Sequence, residues 1–511
     1  MIIFGGTDGA TLTIDFSAAK LHCSGPREHF RGYKYVGEFS DGAYVTWAVS
    51  DKEVVIETDA LGLVPYFIYR CDNKAIISDS LIKILDLCPS NIAVDWAALA
   101  VFLRLGHHIG DDTTFNEIKR LPANSIVTIS HNRFTVNKKP SSPIDIRPTS
   151  LSGAIENYAS IFDSTICGIV ENLDRELIQP LSGGRDSRHI LAALMKVGSR
   201  PSICVTQALP PPQRNDDVTV SKLICAGLSL SQVISPPVRN HYAQEQLKNS
   251  QISYESVHHA WLLPISNYLN SLPSSVILDG LGGDILSESK TIKPGYYELV
   301  ASASLENLAQ EILGNDSFLN KQMNRKASHL LRRELAVQRL TDELMKHRNS
   351  SNLLVSFFLA NRSRRSIAPS CWNLFGGKHH VVAPYLAPPV KNFLLSLPHE
   401  FHKRGDLHTL AIQNGYPIFR GYAYGGNGPS QEVTLSSHVR NITSSIQFAR
   451  DQLRTGLLKP HVTIARKVKS CLSKTDLANG MEFDRKLCVF TLPVVKEAMK
   501  EAPPQARAAL S

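Results

Sequence analysis

Several things are missing from this sequence, and each absence narrows what the chain can be. Nothing in its 511 residues approaches the roughly 18 uninterrupted apolar residues of a membrane span. The first residues, MIIFGGTDGATLTIDF, carry neither a basic n-region nor a long apolar core, so a cytoplasmic protein with no membrane partner is expected. There is no C-x-x-C pair. The nine cysteines (Cys23, Cys71, Cys88, Cys167, Cys204, Cys225, Cys371, Cys471, Cys488) are scattered and odd in number, which argues against a zinc or dithiol site and predicts reduced, mostly buried thiols. The net charge of +9 is spread along the chain rather than gathered on one element, so no nucleic-acid partner is expected. Its densest basic run, Arg466-Lys467-Val468-Lys469, predicts a solvated helix face. A Walker loop is also absent, because Gly376-Gly377-Lys378-His379 lacks both the first glycine and the hydroxyl residue.

What is present is ordinary globular composition, 43% hydrophobic and 20% charged, in a chain too long for one core. Short alternating runs, such as Ala43–Val49, Glu53–Thr58 and Lys74–Ser78, are separated by turn dipeptides and predict a β-rich layered domain over residues 1–135. Asp95–Leu105 reads as a helix and Asn124–Ile129 as a closing strand. The Pro-rich stretch Asn137–Thr149 predicts a linker, placed at 136–150. Strands then alternate with helices: Leu177-Ile178, helix Asp186–Val197, strand Ser202–Thr206, helix Asp216–Ala226, strand Gln232–Ile234, a largely helical stretch Tyr254–Asn270, strand Ser275–Leu278. That alternation predicts an α/β domain with a parallel sheet over 151–511, mostly helical after about residue 300.

Two glycine-rich loops follow predicted strands, where ligands of such sheets bind. In Ser182-Gly183-Gly184-Arg185-Asp186-Ser187 the glycines allow a tight turn that bares N–H groups, and the helix that follows adds its positive end. Ser182 and Ser187 can donate to the same anion. Asp186 can face a phosphate only through a cation, for which Mg2+ is the natural choice. Asp279-Gly280-Leu281-Gly282-Gly283-Asp284 supplies a second carboxylate, Asp284, able to share that ion.

With both loops in view, the chain resembles the asparagine synthetase family, which carries an S-G-G-x-D-S loop and a later S-G-x-G-x-D loop. The resemblance implies that Ser182, Gly183, Gly184, Asp186 and Ser187 hold the pyrophosphate of ATP, with Asp186 and Asp284 on magnesium. Leu181, Val205 and Gly280 match positions lining the adenosine site. The implied fold is a PP-loop synthetase domain of the adenine nucleotide alpha hydrolase-like type. The implied chemistry is attack of a carboxylate on the α-phosphate, then displacement of AMP from the acyl-adenylate by an amine or ammonia. Asn361–Ala368, Val382–Leu386 and Val390–Pro398 extend the likeness, with Ala387 where the family has aspartate. Glu57–Tyr66, Ile77–Leu81 and Phe115–Pro122 resemble the class II glutamine amidotransferase domain, of Ntn type, that precedes the synthetase.

The sequence also departs from that pattern. A glutaminase needs cysteine at position 2, and Ile2 stands there, so glutamine hydrolysis is not expected. Leu281 replaces the glutamate or tyrosine used for proton handling, leaving His258 and His259 as the nearest candidate bases along the chain. The family's late lysine is missing between Lys403 and Lys459, leaving Arg420 and Arg188 as cations that could face ATP. A peptide macrolactam or β-lactam-type cyclase, and a nucleotide binder that no longer ligates, are the alternative readings. A homodimer is left open.

Overall fold

The computed structural model describes residues 1–501 apart from 17–20, 38–40, 72–73, 89–91, 132, 141–148, 212, 288–290, 426–430 and 473–480. Two antiparallel sheets come first. One has six strands in the spatial order Ile2–Phe4, Glu28–Tyr35, Gly42–Val49, Glu53–Thr58, Ser125–Ser130, Arg133–Lys138; the other orders His22–Ser24, Thr11–Asp15, Lys74–Ser78, Phe67–Cys71, Ile118–Arg120. Alternation dictates the inward face: Val54 and Ile56 on one strand and Val127 and Ile129 on its neighbour are buried, with Ile56 opposite Val127. Asp95 caps the helix Trp96–Leu105 by accepting the Ala98 N–H, and Gly106 ends it in the left-handed conformation.

The third sheet is wholly parallel, in the order Gln232–Ser235, Ile203–Gln207, Leu177–Pro180, Val276–Leu278, His380–Val382. The chain first builds outward from Leu177–Pro180 to one side and then returns to build on the other. This strand is therefore the switch point, where the outgoing connections diverge and leave a crevice at the strands' carboxyl ends. The whole is mixed α/β, with helices filling most of the chain after residue 283. One continuous hydrophobic core runs from Ile2 to Met499 and joins the antiparallel layers to the parallel sheet.

Charged contacts stitch that junction. Glu255 lies between Arg120 and Arg365, and all three are at most 1% exposed. Arg365 also donates to the carbonyls of Ile109, Gly110 and Asp112, while Arg364 reaches those of Gly62, Gly110 and Leu121. Both arginines project from Leu359–Ile367, a π-helical run whose wider turn is an unusual backbone form.

Several expectations need correction. Asn137 and Lys138 belong to a strand rather than a linker, because Arg133–Lys138 pairs along the whole of Ser125–Ser130; 141–148 lie outside the described residues. Tyr254–Asn270 is helical only from Ala260, as a 3-10 turn over Ala260–Leu262 and an α-helix over Leu263–Asn270, since Tyr254 and His259 take positive φ. The basic run is only partly a solvated face: Val468 and Lys469 are exposed, but Arg466 and buried Lys467 both pair with Asp484, itself 1% exposed. All nine cysteines are free thiols, but only Cys204, Cys225, Cys371 and Cys488 are fully buried. No helix among the described residues is long and apolar enough to cross a membrane.

Candidate active site

The first loop leaves the sheet at Pro180 and is held by its neighbour strand. The Leu181 N–H donates to the Val205 carbonyl (2.9 Å), and the Thr206 hydroxyl donates back to the Leu181 carbonyl (2.8 Å). The turn then closes on itself. Ser187 Oγ accepts the Ser182 N–H (3.0 Å) and lies 3.1 Å from Ser182 Oγ, which accepts the Gly184 N–H (3.1 Å). The Gly183 N–H donates to Asp217 Oδ1 at 2.8 Å, so a carboxylate already occupies one of the bared donors. Burial raises the Asp217 pKa, against the lowering effect of that N–H. The helix Asp186–Lys196 follows at once.

The second loop leaves Val276–Leu278, and Asp279 Oδ1 accepts the Leu281 N–H (2.8 Å) in an Asx turn. The two loops touch through their glycines. A Cβ at Gly280 would stand 2.7 Å from Asp186 Cβ, and one at Gly283 would stand 2.5 Å from Asp186 Oδ1. Only residues without a side chain let the Asp186 carboxylate enter the second loop. Asp284 lies in the first turn of the short helix Gly283–Ser287 and pairs with Arg362 at 2.9 Å.

Between the loops opens a cavity of about 260 Å³, lined by Leu181, Ser182, Asp186, Ser187, Val205 and Gly280 among others. Six of the residues expected from the sequence therefore meet in one place. Gly183 and Gly184 form the turn without lining it, and Asp284 and Arg188 lie outside it. The Arg188 side chain is fully buried: it donates to the carbonyls of Tyr422 and Ala423 (2.8 Å each) and Gly183 (3.4 Å), and its guanidinium lies over the Tyr424 ring (4.1 Å). It clamps residues 422–424 onto the first loop. Arg420 is exposed and donates to the Gln413 carbonyl. His259 lines the cavity and His258 does not. Ile2 is buried in a strand opposite Tyr35.

Sequence reading missed the rest of the wall. Asp217, Thr206, Gln207, Trp261, Ser370, Cys371 and Phe375 line the cavity from four separate segments. Of these only the acidic pair Asp216-Asp217, in the first turn of the helix Asp216–Gly227, gave a local signal. A second missed group supports Asp186 from below. Its Oδ1 lies 3.4 Å from His408 Nδ1, and His408 Nε2 lies 3.1 Å from both His189 Nδ1 and the Tyr385 hydroxyl. Tyr385 donates to the Asp186 carbonyl (3.1 Å), while burial drives the His189 pKa far down and keeps that ring neutral. Among the described residues no group of three or more His, Cys, Asp or Glu is arranged to hold a metal unaided.

No family model and no curated protein matches the chain. Among solved structures, the allosteric regulatory enzyme of purine biosynthesis is similar at 11% identity and a TM-score of 0.15, over 39% of this chain and 48% of that one. Glutamine phosphoribosylpyrophosphate amidotransferase from B. subtilis, complexed with ADP and GMP, gives 8% identity and a TM-score of 0.15, over 48% and 44%. This chain spans less than half the length of either. At such scores the likeness to both is distant and carries no argument.

Proposed function

We propose that this chain is an ATP-dependent amide-forming ligase of the asparagine synthetase type, working through an acyl-adenylate and without glutaminase activity. The observation that carries the reading is the meeting of two separately encoded glycine loops at one cavity, at the switch point of a parallel sheet. In this reading residues 151–511 form the adenylating, PP-loop half. Residues 1–135 form an amidotransferase-like half whose position 2, Ile2, cannot supply a thiolate.

The residues present fit the substrate. Leu181, Val205, Leu278 and Ile265 give the cavity an apolar wall suited to an adenine ring, and about 260 Å³ takes a nucleoside with its phosphates directed to the rim. There Ser182, Ser187 and the start of the Asp186–Lys196 helix would receive the pyrophosphate. Magnesium fits the hard oxygen donors of Asp186 and Asp284, and would supply neutralisation of phosphate charge. Two carboxylates are enough where phosphates complete the shell. Arg362 is then the partner from which Asp284 must be drawn. A substrate carboxylate attacks the α-phosphorus, pyrophosphate departs, and an amine displaces AMP.

The test is ATP–pyrophosphate exchange with panels of carboxylates, with and without ammonia. Exchange with at least one carboxylate is expected, and its loss in Asp186→Asn and in Asp284→Asn. Binding of ATP with no exchange across the panel would instead leave a nucleotide-binding protein that does not ligate.

A further inference from the structure

The ligase reading leaves the amine-attack step without a base, since Leu281 is 3% exposed and does not line the cavity. One carboxylate on the cavity wall has no part in holding phosphate. Asp279 ends the Val276–Leu278 strand and lines the cavity beside Cys371, Ser370 and His259. Its Oδ1 is fixed by the Leu281 N–H at 2.8 Å and its own N–H donates to the Val382 carbonyl, with Cys371 beside it on the cavity wall. The backbone is thus anchored to the neighbouring strand and one carboxylate oxygen is fixed by the loop. Among the described residues lining the cavity there is no lysine or arginine to pair with Asp279. Trp261 and Phe375 present aromatic surface to the same space, which suits a nitrogen that carries or develops positive charge.

The neighbours do not compete for the role. His259 Nδ1 is engaged by Ser370 Oγ at 3.0 Å, and burial, with Lys248 and Arg362 adding to it, holds its pKa down at about 3. So weak a base takes up little proton from an amine. Burial and the adjacent carboxylate push the Cys371 thiol far up, so it stays a protonated donor rather than a nucleophile. Burial moves Asp279 the other way from His259, making it a stronger base than an ordinary carboxylate.

Resting on the ligase reading, we propose that Asp279 receives the acceptor amine, a primary aliphatic amine or ammonia, and is the base for amide formation. The amine lone pair attacks the acyl carbon of the adenylate, and one N–H proton passes to the Asp279 carboxylate. The bond from the acyl carbon to the phosphate oxygen breaks, and AMP leaves with that electron pair. The base thus sits two residues before the loop position now held by Leu281.

The experiment uses the full chain and a carboxylate that supports exchange in the wild type, and compares exchange with amide formation from ammonium chloride and from hydroxylamine. In Asp279→Asn, amide formation from ammonia falls about 10²-fold or more relative to exchange, the range of general-base catalysis. Hydroxylamine, neutral at pH 7 and a stronger nucleophile, restores product as the hydroxamate. Asp279→Ser, which keeps an oxygen to accept the Leu281 N–H, gives the same split and serves if the asparagine variant does not fold. Equal loss of exchange and amide formation, or undiminished amide formation, overturns the assignment while leaving the ligase standing. Absence of exchange in the wild type with every carboxylate overturns both.

Discussion

Replacing Gly280 with alanine asks whether the two loops act as one unit. The new Cβ would lie 2.7 Å from Asp186 Cβ, with the Asp186 carbonyl carbon and the Ser187 nitrogen at 3.7 Å. Gly280 does not occupy the left-handed region, so the backbone accepts alanine and the effect is steric. Carbon atoms prefer separations of about 3.5–4.0 Å, so the loops must part by roughly 1 Å. The contacting atom is next to the backbone and cannot swing away as a side-chain tip could. Overpacking of this kind costs about 1–3 kcal/mol. A displacement of about 1 Å at a positioned carboxylate costs about 10²-fold in rate. The expected outcome is a modest fall in the denaturation midpoint beside a loss of exchange activity of about two orders of magnitude. Gly295→Ala is the control, since a Cβ there meets nothing within 4 Å. Wild-type exchange in Gly280→Ala, or a loss no larger than that of Gly295→Ala, refutes the coupling of the loops through Asp186.

Arg188→Lys keeps the charge but cannot reach the Tyr422 and Ala423 carbonyls together, and should cost about 1–3 kcal/mol for the acceptor left unpaired. A raised KM for ATP with unchanged denaturation would show instead that Arg188 serves the nucleotide. Glu255→Ala strands two buried guanidiniums and should cost about 3–5 kcal/mol in chemical denaturation; a loss below about 1 kcal/mol would show that the cluster is not stabilising. Acid should destabilise the chain early. Burial holds His107 and His402 down at about 4, whereas unfolded histidine titrates near 6.5. Their folded values are depressed, so their contribution is complete above pH 6.5 and is lost as pH falls towards 4. Denaturation midpoints measured from pH 7 to 4 should decline, less steeply in His402→Gln; identical slopes would remove His402 from the account.

How much of this was legible in the sequence depended on whether a signal was local. Glu53–Thr58 and Lys74–Ser78 were read to the residue because short runs rich in β-branched residues between turn signals mark strands; the first alternates in burial and the second is buried over its last four residues. Both glycine loops were read because each carries its own chemistry within six residues. Asp217, 34 positions beyond Gly183, could not be read as its partner, since that pairing exists only once two parallel strands lie side by side. The late start of the helical stretch, after His259, was hidden because neither glycine nor proline marks that positive-φ position. Periodicity also misleads near residue 440. The helix Leu435–Leu453 turns Ser437, Asn441, Ser444 and Gln452 inward and leaves Leu435, Val439 and Ile446 exposed, the reverse of the usual arrangement.

The arginines at 364 and 365 bear on what the antiparallel half is for. Apart from the pair between Arg365 and Glu255, their hydrogen bonds end on carbonyls and a carboxylate contributed by residues 62–121, so that half supplies most of the acceptors that two buried guanidiniums need. Pulling the halves apart and unfolding the chain are then a single event. The antiparallel half is then the mould against which the π-helical run, and with it Arg362 opposite Asp284, takes its shape.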